Sequence, residues 1–348
     1  MKKREQQRAR FLEKAGWQHA RMAEIAGDAS FRHYTRLTAG DRTAVLMDAP
    51  PEHEDTGPFI TVTRLLGERG LSAPDILARD SEQGFLLLED LGDALFSRLM
   101  STGDRQQESR LYRAAMDVLV ALQAAPLPAT GVLPPYDAGR LLDEAGLFAA
   151  WYLPEVLPPG AAAGLVAGWR ELWQPLLSRL PTGRKVVVLR DYHADNLIWL
   201  EERRGIGRVG LLDYQDAVIG APAYDVVSLM LDARRDVAPS LADEMIAYYL
   251  AGAGQAGVID SRRHFMDEYA LLGAQRSAKV IGIFTRLWRR DAKPGYLPFI
   301  PRVWAHFELC LAMTPALAPV ADWLDRHVPQ NLRHLPVADK PGAFDARS

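Results

Sequence analysis

Apolar and polar positions along the chain change period several times, and each change predicts an element. Residues 4–15 place apolar side chains on one helical face and stop at Gly16, which reads as a short amphipathic helix. Residues 23–50 hold two strand-like segments around Gly27-Asp28-Ala29-Ser30-Phe31-Arg32, a turn at Ala39-Gly40-Asp41 and a further strand at Thr43–Pro50. Residues 57–69 read as a helix capped by Gly70, and residues 72–96 as strand, turn, strand and exit. Helical spacing returns over 106–125, 137–152 and 161–180, broken by the proline-rich connectors 126–137 and 153–160. The C-terminal third is mostly helical, with tryptophans and tyrosines that could line a groove.

The stretch around which the rest is organised is 186–200, VVVLRDYHADNLIWL, together with GLLDYQDA at 210–217. A β-branched run leads into Arg190-Asp191, and Asn196 follows five residues after that aspartate. A short apolar run, a charged turn containing glycine and a second apolar run ending in Asp213 then predict a β-hairpin. It carries an Asp-x4-Asn loop at one end and an aspartate at the other. Phosphoryl transfer to a hydroxyl uses this set: one carboxylate takes the proton, while an amide oxygen and a second carboxylate hold magnesium against the phosphates. The bland alternative is that Asp191 and Asn196 form a turn and Asp213 ends a strand.

Composition narrows the rest. With 44 acidic and 41 basic residues in 348, the formal net charge is -3, which gives a nucleic-acid or anionic-membrane partner no electrostatic support. The single cysteine, Cys310, excludes an internal disulfide and lies in an apolar stretch as a small buried hydrophobe. The charged N-terminus lacks the apolar core of a secretory signal, and no run approaches the roughly 20 apolar residues of a membrane helix, so a cytoplasmic protein is expected; a monomer is a separate expectation. There is no Walker lysine loop, no Gly-x-Ser-x-Gly elbow and no clustered Cys/His spacing. Gly252-Ala253-Gly254-Gln255-Ala256-Gly257 fits the dinucleotide fingerprint, but it ends a helical run instead of following a strand, so a helix stop is the better account.

LRDYHADNL followed by LLDYQDAVIGAPAYDVVSL resembles the aminoglycoside phosphotransferase and choline kinase superfamily of protein-kinase-like enzymes. Within it, LLLEDLGD, GDASFRHYTRL and the Asp-Ala-Pro-Pro after Leu46-Met47 resemble the bacterial anomeric kinases of N-acetylmuramic acid and N-acetylglucosamine, enzymes of cell-wall recycling. The resemblance runs from about residue 10 to 330.

It implies an α/β (α+β) protein-kinase-like two-lobe fold, with a small sheet-rich N-lobe over 1–92 and a mostly helical C-lobe over 93–348. ATP and Mg2+ are the implied cofactors and a small amino sugar the acceptor, with Asp191 as base and Asn196 and Asp213 on the metal. Gly27, Ser30 and Arg32 belong to the loop covering the phosphates, and backbone groups around Glu89 and Leu91 to the hinge that meets adenine. Gln215, Asp216 and His193 are the candidate sugar contacts. Asp225 could cap the following helix, and by resemblance it braces the catalytic loop from behind.

One departure stands out. Kinases place a lysine on the third strand, whereas this chain has Met47 there, leaving Arg32 or Arg36 as the nearest cations. The alternatives are an aminoglycoside or aminoalcohol phosphotransferase, or a kinase-like binding module without catalysis.

Overall fold

A computed structural model describes residues 2–25, 31–180 and 183–334. Nine strands are described: β1 (Arg21–Ile25), β2 (His33–Ala39), β3 (Arg42–Asp48), β4 (Ile76–Asp80), β5 (Phe85–Leu88), β6 (Val186–Val188), β7 (Leu197–Trp199), β8 (Val209–Leu211) and β9 (Val218–Gly220). Twelve α-helices accompany them. They are α1 (Lys2–Lys14), α2 (Gly57–Gly67), α3 (Phe96–Leu99), α4 (Arg105–Ala124), α5 (Ala138–Leu147), α6 (Leu153–Val156), α7 (Val166–Leu177), α8 (Ala223–Met230), α9 (Pro239–Gln255), α10 (Arg262–Asp291), α11 (Ile300–Met313) and α12 (Ala318–His327). This is the sheet-first, helix-later order of a protein-kinase-like fold. No single helix among the described residues is long and apolar enough to cross a membrane.

The chain forms two compact units, the first made of Met1–Pro135, Arg184–Leu229 and Ala238–Asp260. Its five-stranded sheet runs in the order β1-β2-β3-β5-β4, every pair antiparallel. Side chains alternate across a strand, so Leu37, Ala44, Leu46, Phe85 and Leu87 share one face and bury it against Phe11, Leu12 and Trp17 at the N-terminus. Tyr34, Arg36, Val45 and Met47 therefore face the opposite way. Helix α4 starts at Asp104, whose carboxylate accepts the N–H groups of Gln106 and Gln107 at 2.9 and 3.2 Å, an N-cap.

The predicted hairpin is β7 with β8, in the register Leu197↔Leu211. What periodicity did not give is the partner of Val186–Val188. That run pairs with β9, so two small antiparallel ladders frame the loop between them. Three-residue strands are too short to announce their pairing. The glycine-rich 252–257 segment does end α9: the Ala256 N–H bonds Gly252 O at 3.0 Å and Gly257 takes φ +65°.

The second unit consists of Tyr136–Gly183, Met230–Val237 and Ser261–Ser348. The helix expected over 137–152 is regular only to Leu147 and then widens into a π turn at Phe148–Tyr152. The cause is visible in α10, where a Cβ on Gly282 would meet the Leu147 carbonyl carbon at 2.4 Å. Only glycine allows the two backbones to approach so closely. Several of the aromatic residues expected to line a groove are instead core, while Tyr248, Trp288 and Tyr296 stay half-buried. Trp304, Trp323, Tyr249 and Tyr269 are all buried, each within its own unit, because stacked rings remove more apolar surface from water than any groove would.

Candidate active site

All described candidate residues fall in the first unit. The loop from Leu189 to Asn196 is held from both ends. Asp225, fully buried on α8, accepts the backbone N–H of Leu189 at 2.8 Å and of Arg190 at 2.9 Å through its two carboxylate oxygens. Ser228, one turn along the same helix, donates its hydroxyl to Arg190 O at 3.1 Å. At the far end the Asn196 side-chain N–H donates to Asp191 O at 2.9 Å, closing the Asp-x4-Asn loop on itself. With Nδ2 so engaged, the amide's only acceptor, Oδ1, is the atom left for other chemistry. The His193 ring nitrogen Nε2 lies 3.3 Å from that same Nδ2, and the ring is buried beside the loop.

Two of the three non-glycine residues described at positive φ belong to this site: Arg190 at +72° and Asp213 at +55°. A left-handed conformation costs a side-chain-bearing residue about 1–2 kcal/mol and persists only where surroundings enforce it. At Arg190 the enforcement is the Asp225–Ser228 clamp. Asp213 follows β8, and the Leu212 N–H bonds Asn196 O at 2.9 Å, which brings the hairpin's two ends together. Gln215 donates to Asp213 Oδ1 at 2.8 Å, while its own Oε1 is buried without a hydrogen-bond partner. Asp216 is exposed.

Beside this loop lies Tyr214, whose hydroxyl pairs with Thr63 of α2 at 2.7 Å and whose ring packs on Phe59 at 5.1 Å. Burial raises its phenol above the ordinary value, so it stays a neutral link. Tyr34 of β2 is pushed up to about 12, chiefly by burial; Arg32, which donates to its hydroxyl, works against that, and the negative charges of Asp213 and Glu54 add to it.

The hinge segment is tied to the hairpin. The Trp199 N–H bonds Ala94 O and the Leu211 N–H bonds Ser72 O, both at 2.8 Å. Leu91 packs on Gly210, where a Cβ would stand 3.0 Å from its Cδ1. The Glu89 N–H donates to Asp75 O at 2.8 Å, and its carboxylate pairs with Arg203 at 2.5 Å. Glu89 therefore offers a ligand at most its carbonyl. Arg36 reaches the same segment, its Nε 2.8 Å from Asp90 and its Nη1 2.6 Å from Asp93. That bonding holds the Asp93 carboxyl below the usual carboxylate range.

Gly27 and Ser30 lie outside the described residues, whereas Arg32 is half-buried with Nε 3.6 Å from Glu54. Sequence reasoning named Asp191, Asn196 and Asp213 from their spacing and Asp225 as a cap and, by resemblance, a brace, but it named none of Thr63, Ser228, Glu54 and Arg203. Tyr214 and Thr63 are 151 positions apart, and no local pattern links them.

Among the described residues no cluster of three His, Cys, Asp or Glu side chains could hold a metal. Magnesium needs fewer protein ligands, since one or two carboxylates suffice where phosphates complete the shell. The Asp213 carboxylate and the Asn196 amide oxygen fit that requirement.

Residues 21–263 match the model of the phosphotransferase enzyme family. The chain is 38% identical over 364 residues to an N-acetylmuramate/N-acetylglucosamine kinase of Caulobacter vibrioides, covering 95% of this chain and 98% of that one. It is also 38% identical to a protein of the same name from Pseudomonas aeruginosa, covering 89% and 90%. Among solved structures, a choline kinase from Streptococcus pneumoniae superposes with a TM-score of 0.60 at 12% identity over 90% of this chain and 99% of that one. An ADP-bound aminoglycoside phosphotransferase superposes with a TM-score of 0.55 at 13% identity over 88% and 98%. These two share the fold. The match across most of its length and the loop geometry agree that this chain belongs to the phosphotransferase enzyme family.

Proposed function

We propose that this protein transfers the γ-phosphoryl group of ATP to the C1 hydroxyl of N-acetylmuramate and N-acetylglucosamine, the step that returns cell-wall amino sugars to use. The observation that carries the reading is the double clamp on the loop of Asp191. Asp225 and Ser228 fix the peptide before it, and Asn196 closes on its carbonyl. A base held so firmly meets the acceptor in one orientation, which is worth much of the barrier in a reaction that is mostly positioning.

Asp191 accepts the proton of the C1 hydroxyl as that oxygen bonds to the γ-phosphorus. The bond from the γ-phosphorus to the bridging oxygen breaks, and ADP leaves. Asn196 and Asp213 would hold Mg2+, which supplies charge neutralisation on the phosphates. The carbonyl of Glu89 and the N–H of Leu91 meet the adenine edge, and Gly27, Ser30 and Arg32 meet the phosphates. Residues 1–92 and 93–348 act as the two lobes of a monomer. Gln215 and the exposed Asp216 serve the sugar's remaining polar groups.

An anomeric hydroxyl belongs to a hemiacetal and is more acidic than an ordinary alcohol, so a carboxylate base suffices. A site that pairs the ring's hydroxyls and acetamido group rejects analogues lacking them, because its own polar atoms are then stranded. ADP release should therefore be measured with ATP and magnesium across a sugar panel. N-acetylated hexosamines with a free C1 should turn over and their 1-O-methyl glycosides should not. Turnover of the methyl glycosides, or of kanamycin in preference to N-acetylglucosamine, would move the protein to the antibiotic-modifying branch.

A further inference from the structure

The charged turn that joins β7 to β8, residues 200–208, is folded onto itself. The Leu200 N–H donates to Arg208 O at 2.8 Å, the Arg203 N–H to Leu200 O at 3.2 Å, and Arg208 Nε to Arg203 O at 2.7 Å. The backbone of Arg203 is thus fixed on both sides of its Cα. From there the guanidinium reaches out of the turn to Glu89, with Nη2 2.5 Å from Oε1. The two residues are 114 positions apart, so only tertiary folding pairs them.

Glu89 follows β5 at the start of the hinge segment. Its N–H donates to Asp75 O at 2.8 Å, its Oε2 accepts the Asp75 N–H at 3.3 Å, and its Oε1 takes Arg203. The group it has left for a ligand is its carbonyl.

The body of the hairpin is held to the neighbouring chain by other bonds. The Trp199 N–H meets Ala94 O, the Leu211 N–H meets Ser72 O, and the Ser72 hydroxyl donates to Gly207 O at 2.6 Å. None of these ends on Glu89; the Arg203 side chain does. At the opposite, open end of the hairpin stand Asn196, just before β7, and Asp213, just after the Leu212 N–H that bonds Asn196 O.

We propose that Arg203 is a positioning residue for the nucleobase. Through Glu89 it aims the carbonyl at which adenine is read, and it does so from the hairpin that carries Asn196 and Asp213. This rests on the kinase reading above, which gives adenine to the hinge but leaves open what holds Glu89 in place. The aim matters for base choice. The exocyclic amine of adenine donates to a carbonyl, whereas a 6-oxo purine sets an acceptor against it, and two acceptors repel. A site built around that hydrogen bond rejects the analogue lacking it, and a wandering carbonyl rejects it less. Arg203 and Glu89 are 35% and 29% exposed at their side chains, so water screens the pair and its hold is modest.

The test is calorimetric titration of adenosine, inosine and Mg-ATP into wild type, Arg203→Gln, Arg203→Lys, Glu89→Gln and the double variant, with thermal midpoints recorded. Arg203→Gln should weaken adenosine and Mg-ATP by the same factor, about 3- to 5-fold. Inosine should change less, so the preference for adenosine narrows. Arg203→Lys should recover part of the loss. The double variant should lose no more than Glu89→Gln alone, because both changes remove one pair. Unchanged adenosine affinity in Arg203→Gln, or losses that simply add in the double variant, would overturn the assignment. A lowered thermal midpoint with the adenosine preference intact would do the same, leaving the pair a prop for the fold. Turnover of wild type on amino sugars is read in parallel. If it fails while the coupled nucleoside loss persists, the substrate reading falls and Arg203 keeps its role; if it holds while that loss is absent, the role of Arg203 alone falls.

Discussion

In one compact unit a fully buried carboxylate, Asp225, holds two backbone N–H groups, and two non-glycine residues sit at positive φ. In the other, Phe148 alone faces the rings of Tyr152, Trp169, Trp304 and Phe307 at centroid distances of 4.8–6.4 Å. The second unit's single described non-glycine residue at positive φ, Ala292, ends α10, where a left-handed cap is ordinary. Left-handed strain outside helix caps is thus gathered where chemistry is assigned, and dense ring packing where it is not, while buried polar residues occur in both units. The difference teaches which substitutions should cost activity and which should cost stability.

Asp191→Asn breaks the comparison most severely. It keeps the shape of the loop but removes the proton acceptor, so kcat should fall by roughly 10²–10⁴, the range of general-base loss, with thermal midpoint and Mg-ATP affinity nearly intact. A kcat near wild type would remove Asp191 from its role.

Trp304→Ala should do the opposite. Its indole N–H donates to the Tyr152 hydroxyl at 3.1 Å inside the aromatic cluster, and truncation leaves a cavity, although the phenol keeps its own bond to Leu332 O at 2.7 Å. About 3–5 kcal/mol of stability should be lost in denaturant titrations, while kcat/KM below the transition stays within a few-fold.

Asp225→Asn sits between these. An amide has one acceptor and one donor, so one of the two backbone N–H groups it now serves would face a donor. That costs roughly 1–3 kcal/mol, and because Arg190 depends on the clamp, kcat should fall as well. Lost stability with unchanged kcat would show that Asp225 supports the fold without holding the site.

The acid side of the comparison is set by His306 in the second unit. Burial, with Arg302 and Arg276 nearby, lowers its pKa from the usual 6.5 to about 4. Between those values the unfolded chain binds the proton and the folded one does not, so stability falls as pH drops from about 6.5 toward 4. His306→Gln should flatten that slope by at most about 3 kcal/mol, less for the water reaching a half-buried ring. Denaturation midpoints at pH 7, 5.5 and 4.5 would check it.

Much of this division was legible beforehand. Asp191, Asn196, Asp213 and Asp225 lie within 35 residues, so the order of the first three along a predicted hairpin, with the resemblance adding Asp225, could point to them. Helix α4 announced itself through long apolar periodicity. The contacts that lock the site are of another kind: Thr63 with Tyr214, Arg203 with Glu89, and Val186–Val188 with β9 are set by tertiary folding. A β-branched triplet pairs with whichever edge packing brings near. The aromatic residues misled for a related reason, since a tryptophan on a helix looks the same in sequence whether it lines a groove or fills a core.

The central claim is that the clamped aspartate directs the phosphoryl group onto an anomeric hydroxyl. Phosphorus NMR of the product made from N-acetylglucosamine, and separately from N-acetylmuramic acid, with ATP and magnesium tests it most directly. The predicted result is one phosphate resonance coupled to the anomeric proton, of a single anomer, and none from Asp191→Asn. A phosphate coupled to the C6 protons, or to any other ring position, would contradict it.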